Sequence, residues 1–509
     1  MDSAWQNLSD AVFAHAERQP NVAALIEGPT TLTYGALASL VGKASVHLHD
    51  LGIGDGMRIG IALTNSVDHV ILLLALMRVG AVTVELSPDD SGAALAAAAR
   101  QYGMRAIFTE AHIAPTPGVE RIRVDRGWRD RIAAKSGDHR SAASGDALHI
   151  LMLTTGSTGL PRAWIATHEA QARSAIRRVR FGGPGDWGEA GMPRNFLQTG
   201  SLRYSWFFGR LVVQLLWGVT TILLPEFANG PDLLRAIASW SDASAYVTAG
   251  ACRYFISVAP ETGLLLPNLR WLEAAGLPLH GDEKRAMLAR VTPYFNESYG
   301  STGSGLITIL SARDMLAKAG SVGRPVPGVA VEVVDAAGNP LPEGMVGEIR
   351  SRPLWALRRD GDGENPGRGF ERIAGGWSYP GDFGYFDAEG FLYLKGRGTE
   401  IIRRGAGEVF AADVEAVLAG HPAVAEVAVV GRPRSGAADE IVAFVVRHGA
   451  LEHETLAEFC RARLAADCLP DLIYYAGALP RIGNKLDRVQ LLKTALTEAG
   501  QRVARQNAG

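Results

Sequence analysis

Cysteine is scarce in this chain, which has only three among its 509 residues: Cys252, Cys460 and Cys468. A small, odd number of cysteines does not suit a disulfide framework and favours a reducing compartment, so we expect a cytoplasmic location. The N-terminal residues 1–5 also lack a basic stretch followed by an apolar core. No secretory signal is therefore expected there.

Long apolar runs and net charge are lacking as well. The longest apolar stretches, residues 70–77 and 211–224, are too short for a bilayer or are interrupted by Gln214 and Gly218. We expect both to be buried core elements. The formal net charge of −2 gives no electrostatic reason to expect nucleic acid or an anionic membrane as a partner. A chain of this length, with 47% hydrophobic residues, should fold into two or more globular domains.

Helical-period segments alternate with short β-branched runs along much of the chain. Residues 70–78 are followed by 81–84, and residues 211–217 by 220–224. This alternation predicts an α/β fold with largely parallel sheets, in a large N-terminal domain of layered sheets and helices. Residues 326–349 contain short apolar runs around Gly, Asn and Pro turn signals, which predict a small antiparallel subdomain.

The composition changes again towards the C-terminus. Residues 358–376 are charged and rich in turn formers, which predicts a surface excursion. A new α+β unit begins after residues 396–400, with a helix predicted near 414–418 and a strand near 424–430. We therefore predict an N-terminal domain over 1–395, a hinge at 396–400 and a small mobile C-terminal lid over 401–509.

A loop rich in glycine, threonine and serine begins at residue 154. Its glycines let backbone N–H groups approach an anion, its hydroxyls add donors, and Arg162 adds a fixed positive charge, so it predicts a nucleotide phosphate site. The apolar residues 150–153 before it predict a buried strand. The loop does not end in the Gly-Lys-Ser/Thr sequence of a Walker A motif. Composition alone also allows an ordinary surface loop. The candidate phosphate contacts are Thr154, Thr155, Gly156, Ser157, Thr158, Gly159 and Arg162.

Four later segments follow this loop in order: Tyr-Gly-Ser-Thr at 299–302, Tyr-Pro-Gly-Asp at 379–382, Gly-Arg at 396–397, and the basic segment 479–488. Together with the loop they resemble the adenylate-forming superfamily of acyl-CoA synthetases, peptide-synthetase adenylation domains and luciferases. Weaker similarities of the same kind occur in order at residues 32–34, 76–88, 320–325 and 421–424. The resemblance thus spans nearly the whole chain.

The resemblance implies roles for particular residues. The tyrosine ring would stack on adenine, Asp382 would accept two ribose hydrogen bonds, and Lys485 would place a mobile charge at the reacting phosphate. Taken singly, residues of these types are more often a core aromatic, a turn aspartate and a surface lysine. Catalytic roles are implied for Lys485, Thr302 and Arg162, and nucleotide contacts for Ala275, Gly276, Tyr299, Gly300, Ser301, Asp382 and Arg397.

The reaction implied by the resemblance has two halves. A carboxylic acid attacks ATP to form an acyl-AMP, with Mg²⁺ expected as a cofactor, and a thiol of CoA or of a carrier-protein phosphopantetheine then displaces AMP. Between the halves the lid would rotate about the hinge at Thr399. That rotation would present a thiol-side loop formed by Arg404, Gly405, Ala406 and Gly407. The length of the segment 405–410 resembles that of acyl-CoA ligases and favours CoA over a carrier protein.

Four positions depart from the family pattern. Gly303 stands where a magnesium-binding glutamate is usual, so the side-chain carboxylate is missing unless Glu297 compensates. Arg162 replaces a lysine but keeps its charge, Thr399 replaces Asp or Lys, and the last motif is one residue short before Lys485. Two alternatives to an active ligase therefore stay open: a non-adenylating acyltransferase that uses a supplied acyl-AMP, and a non-catalytic nucleotide-binding protein.

The acyl pocket is predicted in residues 202–209, opposite residues 274–278. No aspartate occurs in the first segment, which disfavours an α-amino acid, and its aromatic side chains favour an apolar or aromatic acid. The same aromatic residues could instead fill core. The predicted pocket residues are Tyr204, Trp206, Phe207, Gly276 and Leu277.

Overall fold

The computed structural model describes residues 6–110, 119–154, 162–173, 193–226, 229–276, 279–352, 358–359, 372–404, 407–434, 437–482 and 485–497. The chain divides into two compact units. Unit 1 comprises residues 1–331, 351–365 and 373–378, and unit 2 comprises residues 332–350, 366–372 and 379–509. The predicted boundary at residues 395–401 falls inside unit 2 and stays a prediction.

A nine-stranded sheet forms one layer of unit 1, in the order β15-β14-β13-β12-β11-β9-β10-β1-β2. Its middle strands from β1 to β13 pair in parallel, and β2, β14 and β15 at the two ends pair antiparallel. The strands are β1 (Ala23–Glu27), β2 (Thr30–Thr33), β9 (Asn195–Gln198), β10 (Thr220–Leu223), β11 (Ala243–Thr248), β12 (Leu269–Ala275), β13 (Phe295–Ser301), β14 (Gly305–Leu310) and β15 (Arg324–Pro325).

A seven-stranded sheet forms the second layer, in the order β18-β8-β7-β4-β3-β5-β6. It is parallel from β7 to β6 and antiparallel at β8 and β18. The strands are β3 (Arg58–Ala62), β4 (Val82–Glu85), β5 (Ala106–Thr109), β6 (Glu120–Arg123), β7 (Leu148–Thr154), β8 (Arg162–Thr167) and β18 (Arg358–Arg359). The two largely parallel sheets confirm the predicted α/β class.

The helices of unit 1 mostly begin at a side chain that caps the first turn. Ser66, for example, accepts a hydrogen bond from the backbone N–H of His69 and so starts α3. These helices are α1 (Asp10–Arg18), α2 (Tyr34–Asp50), α3 (Val67–Arg78), α4 (Gly92–Tyr102), α5 (Arg126–Ala133), α6 (Ser205–Trp217), α7 (Gly230–Ala238), α8 (Ala249–Val258), α9 (Gly281–Ala286), followed by a π-helical turn (Met287–Val291), and α10 (Ala312–Lys318).

The two long apolar stretches lie where the sequence predicted them. Residues 70–77 belong to α3, where every one of them is buried, and α6 with β10 holds most of residues 211–224. A helix that is apolar on all sides is expected in a core. Among the described residues, no helix combines the length and the hydropathy that a membrane crossing requires.

A six-stranded antiparallel sheet follows, as predicted from residues 326–349. Its order is β19-β20-β17-β21-β22, with β16 paired to β17. The strands are β16 (Ala330–Val334), β17 (Gly347–Arg352), β19 (Arg372–Ala374), β20 (Trp377–Tyr379), β21 (Asp382–Phe386) and β22 (Leu392–Arg397). Arg358 and Arg359, at the start of the predicted surface excursion 358–376, form an edge strand that pairs with β8. Residues 360–371 lie outside the described part of the chain.

The C-terminal residues of unit 2 have a core of their own, in which Val414, Leu418, Val429, Ile441 and Leu456 are buried together. The predicted helix and strand are confirmed as α11 and β25. The elements are β23 (Ile401–Arg404), β24 (Gly407–Phe410), α11 (Ala411–Ala419), β25 (Val424–Arg432), β26 (Glu440–Arg447), α12 (His453–Arg461), β27 (Leu472–Tyr475), β28 (Arg481–Ile482), β29 (Lys485–Leu486) and α13 (Arg488–Leu496), with 3-10 turns at Gly398–Glu400 and Ala466–Cys468.

Candidate active site

The predicted phosphate loop connects two paired strands. β7 and β8 are antiparallel, and their Cα register places Thr154 opposite Arg162. Ile150, Leu151 and Met152 of β7 are buried, which confirms the predicted strand and holds both ends of the loop on a rigid sheet. Residues 155–161 lie outside the described residues. The phosphate contacts assigned to Thr155, Gly156, Ser157, Thr158 and Gly159 therefore stay predictions.

The Tyr-Gly-Ser-Thr segment lies at the end of β13, where the ladder with β14 is irregular between Tyr299 and Gly300. A Cβ on Gly300 would overlap the carbonyl oxygen of Gly305, so the backbone approach here requires glycine. One residue beyond the strand, the Thr302 hydroxyl lies 3.3 Å from the Ser205 hydroxyl. This contact joins the segment predicted to bind nucleotide to the segment predicted to bind the acid.

Gly303 lies flat against the indole ring of Trp164, a residue of β8. A Cβ built on Gly303 would come within 2.5 Å of Cη2 and 2.7 Å of Cζ2 of that ring, and Trp164 is itself 1% exposed. The Trp164 ring therefore fills the space that a glutamate side chain at position 303 would need. This position lacks a carboxylate and also lacks room for one. The sequence revealed the missing carboxylate but not the tryptophan that fills its place.

Glu297 does not replace the missing ligand. Its carboxylate lies 2.6 Å from the Lys284 ammonium and accepts a hydrogen bond from the backbone N–H of Leu279. Burial raises the pKa of Glu297 even though the Lys284 ammonium is adjacent. The ionised form of this carboxyl group is therefore stabilised by the ion pair with Lys284. Within the described ranges, no group of three or more His, Cys, Asp or Glu side chains could hold a metal ion. The side chains described here do not fit a protein-bound magnesium ion.

The predicted acyl segment forms the start of α6. Tyr204 precedes the helix and is exposed, whereas Phe207 is buried with its ring against Gly200. Phe208 is buried in the main core and stacks on His149, so for this residue the core-filling alternative is correct. Across from this helix, Ala275 ends β12 and Gly276 follows it, while Leu277 lies outside the described residues.

Asp382, the predicted ribose ligand, begins β21 in unit 2 and is buried. Its partner across the ladder is Arg397 at the end of β22, whose Nε lies 2.9 Å from Oδ1 of the aspartate. Two residues predicted separately as nucleotide contacts are thus adjacent. The guanidinium of Arg397 fixes the orientation of the Asp382 carboxylate.

Replacing Asp382 with alanine is expected to weaken AMP binding, because hydrogen bonds to a charged acceptor contribute roughly 1.5–3 kcal/mol each. Calorimetric titration of the purified protein with AMP measures this directly. Asp387→Ala is the matched control, since that carboxylate lies in the turn after β21 and accepts backbone hydrogen bonds of Glu389 and Phe391. Equal AMP affinity in wild type and Asp382→Ala would show that another carboxylate binds the ribose.

The hinge residue Thr399 lies in the 3-10 turn Gly398–Glu400. The next residue, Glu400, forms an ion pair of 3.1 Å with Arg488, which also reaches Glu415 of α11 at 2.7 Å. Burial raises the pKa of Glu400. Arg488 is the last residue of the basic segment 479–488. In the structure it connects Glu400, at the end of the predicted hinge, to α11.

The remaining predicted residues lie on two short hairpins of unit 2. Arg404 ends β23 opposite Gly407 of β24, and its guanidinium lies 3.0 Å from Asp471. Gly405 and Ala406 between them fall outside the described residues. Lys485 begins β29, opposite Ile482 of β28. Its predicted catalytic role stays a prediction.

Comparison with known proteins identifies the class. A family model described as AMP-binding enzyme matches residues 12–355, and one described as AMP-binding enzyme C-terminal domain matches residues 413–485. The first match covers more than half of the chain. The protein therefore belongs to the AMP-binding enzyme family.

Two of its relatives are named as CoA ligases. The chain is 28% identical to a 2-succinylbenzoate–CoA ligase of Bacillus cytotoxicus, over 89% of this chain and 92% of the relative. It is 27% identical to the long-chain-fatty-acid–CoA ligase FadD13 of Mycobacterium tuberculosis, over 97% and 98% of the two chains. The o-succinylbenzoate CoA synthetase of Bacillus subtilis, solved with its acyl-adenylate intermediate, has the same fold, with a TM-score of 0.83 at 24% identity over 96% of this chain and 98% of that chain.

Proposed function

We propose that this protein joins a carboxylic acid to a thiol through an acyl-AMP intermediate. The observation that supports the proposal most is the contact between Thr302 and Ser205, because these residues belong to the segments predicted to bind the nucleotide and the acid. The paired ends of the phosphate loop on β7 and β8 and the membership of the AMP-binding enzyme family support the same reaction.

In the first half-reaction a carboxylate oxygen attacks the α-phosphorus of ATP. A new P–O bond forms, the bond to the β-phosphate breaks, and pyrophosphate leaves. The protein supplies alignment and charge neutralisation rather than a nucleophile. We assign the hydroxyl of Thr302 and the charges of Arg162 and Lys485 to the phosphate oxygens, and Tyr299 and Asp382 to the nucleoside. No side-chain metal site takes part in this assignment.

In the second half-reaction a thiolate sulfur attacks the acyl carbon, a thioester forms, and AMP leaves with the electron pair of the broken C–O bond. CoA is the thiol that we assign, since the two relatives described above are named as CoA ligases. A carrier-protein phosphopantetheine is the alternative acceptor. The three cysteines are free, which agrees with a reaction in the reducing cytoplasm.

A second candidate function is favoured by one observation, the Trp164 ring against Gly303. If the occupied glutamate position prevents ATP from being used, the protein would convert a ready-made acyl-AMP to a thioester. The protein would then catalyse the second half-reaction alone. A protein that binds the nucleotide without turnover is the third reading of the same observation.

One assay separates these functions. The protein is incubated with a panel of acids and CoA, with either ATP or the synthetic acyl-AMP as the donor, and thioester is measured. Thioester from ATP supports the ligase, and thioester from acyl-AMP alone supports the acyltransferase. Absence of thioester from both donors, with AMP still bound, would refute both enzymatic proposals.

A further inference from the structure

A buried ion pair lies on the elements that carry the predicted acyl pocket. Arg210 of α6 and Glu273 of β12 are paired, with side chains that are 8% and 1% exposed. Glu273 also accepts hydrogen bonds from the Ser298 hydroxyl and, at 3.0 Å, from the Trp271 indole N–H. Both oxygens of this carboxylate are therefore fully engaged by the protein.

The pair is adjacent to the residues predicted to contact the acid. Arg210 lies one helical turn after Trp206, and its guanidinium carbon is 4.5 Å from the centroid of that ring. Glu273 lies two residues before Ala275, on the same face of β12. Ser298 directly precedes Tyr299 on β13. The same three elements thus carry the predicted acyl pocket, the nucleotide segment and this charged cluster.

One nitrogen of the Arg210 guanidinium has no hydrogen-bond partner among the described residues. Nη2 bonds Glu273, and Nη1 donates to the Tyr246 hydroxyl at 3.4 Å. Nε is buried and has no hydrogen-bond partner in the described part of the chain. The ring of Tyr246 lies 4.2 Å from the guanidinium carbon on one side, and the Trp206 ring lies nearby on another. A buried donor without an acceptor is costly, and a ligand oxygen would relieve that cost.

We propose that Arg210 selects an acid whose end remote from the activated carboxylate carries a neutral oxygen, as a ketone or hydroxyl. This inference rests on the proposed function and names its substrate class. An alkyl chain against Nε–H would leave the donor unsatisfied. A second carboxylate would meet Glu273, which already neutralises the guanidinium, so like charges would repel. Because the aromatic rings of Trp206 and Tyr246 border this site, we expect the rest of the acid to be an aryl group or a short chain.

The test uses stable acyl-sulfamoyl-adenosine analogues of the acyl-AMP, so that it does not depend on turnover. Two matched pairs differ by one oxygen: 5-oxohexanoyl against hexanoyl, and 4-hydroxyphenylpropanoyl against phenylpropanoyl. Calorimetry on the full chain is expected to show about ten- to hundredfold tighter binding of the oxygenated member of at least one pair. Equal binding within both pairs, or tighter binding of the deoxygenated members, would overturn the proposal.

The double variant Arg210→Met/Glu273→Gln removes both charges and should reduce the preference towards unity without changing AMP affinity. Arg78→Met is the matched control, because Arg78 is also buried, pairs with Asp10 and Asp138, and lies 3.6 Å from the Phe13 ring. The control should lose stability but show the wild-type preference. A preference that survives in the double variant would refute the role of Arg210. If no analogue binds more tightly than AMP, the proposed function itself fails.

Discussion

Lys485→Ala is expected to lower the formation of acyl-AMP from ATP by about 10²–10³-fold, the usual effect of removing a charge that stabilises a developing anion. Conversion of supplied acyl-AMP to thioester should be nearly unchanged, because we predict that the lysine acts in the first transition state and is absent from the second. Pyrophosphate exchange measures the first half-reaction, and thioester formation from acyl-AMP measures the second.

Lys493→Ala is the matched control for this substitution, since Lys493 is an exposed lysine on the following helix α13. It should leave both half-reactions intact. Equal damage to both half-reactions by Lys485→Ala, in a protein that remains folded, would show that this lysine has another role. A different result would support the acyltransferase: the wild type forms no acyl-AMP from ATP, and Lys485→Ala does not change thioester formation from supplied acyl-AMP.

Gly303→Glu alone is expected to destabilise the protein by about 1–3 kcal/mol, because the new Cβ meets the Trp164 ring and overpacked sites carry costs of this size. It should not gain adenylation activity. In Trp164→Val/Gly303→Glu the ring is removed, so the carboxylate has space. We expect this double variant to exchange pyrophosphate faster than wild type, with a steeper dependence on Mg²⁺.

Thermal unfolding and pyrophosphate exchange at several Mg²⁺ concentrations test this pair as a double-mutant cycle. Trp164→Val alone should lose stability through the cavity it leaves, without a change in metal dependence. The assignment would be wrong if Gly303→Glu alone were as stable as wild type and more active. It would also be wrong if the wild type already adenylated rapidly at low Mg²⁺, since another ligand would then be in place.

The sequence predicted the elements of this site better than their contacts. β7 before the phosphate loop and the α3–β4 and α6–β10 alternations follow from local apolar periodicity, which depends only on neighbouring residues. The Trp164 ring against Gly303 could not be predicted in this way, because it depends on how β8 approaches the end of β13. The departure from the family motif identified Gly303 as unusual. In the sequence, the signal for its partner was Trp164, which follows the predicted phosphate loop.

The predicted acyl pocket is a second case in which the sequence predicts an element but not its contacts. Its aromatic residues lie together around the start of α6, but Phe208 belongs to the core while Arg210, two residues later, belongs to a buried ion pair. Helical periodicity indicates which side chains share a face but not what they meet. The partner of Arg210 lies on β12, and the chain alone gave no reason to connect an arginine with Glu273.

The ion pairs of Arg488 connect three parts of unit 2 that are separate in sequence. Glu400, at the end of the predicted hinge, is connected through Arg488 to Glu415 of α11. Arg488 also lies three residues after Lys485, so the segment that carries the predicted catalytic lysine is close in sequence to this connection. If the predicted rotation at Thr399 takes place, we expect these ion pairs to make Glu400, Glu415 and Arg488 move together.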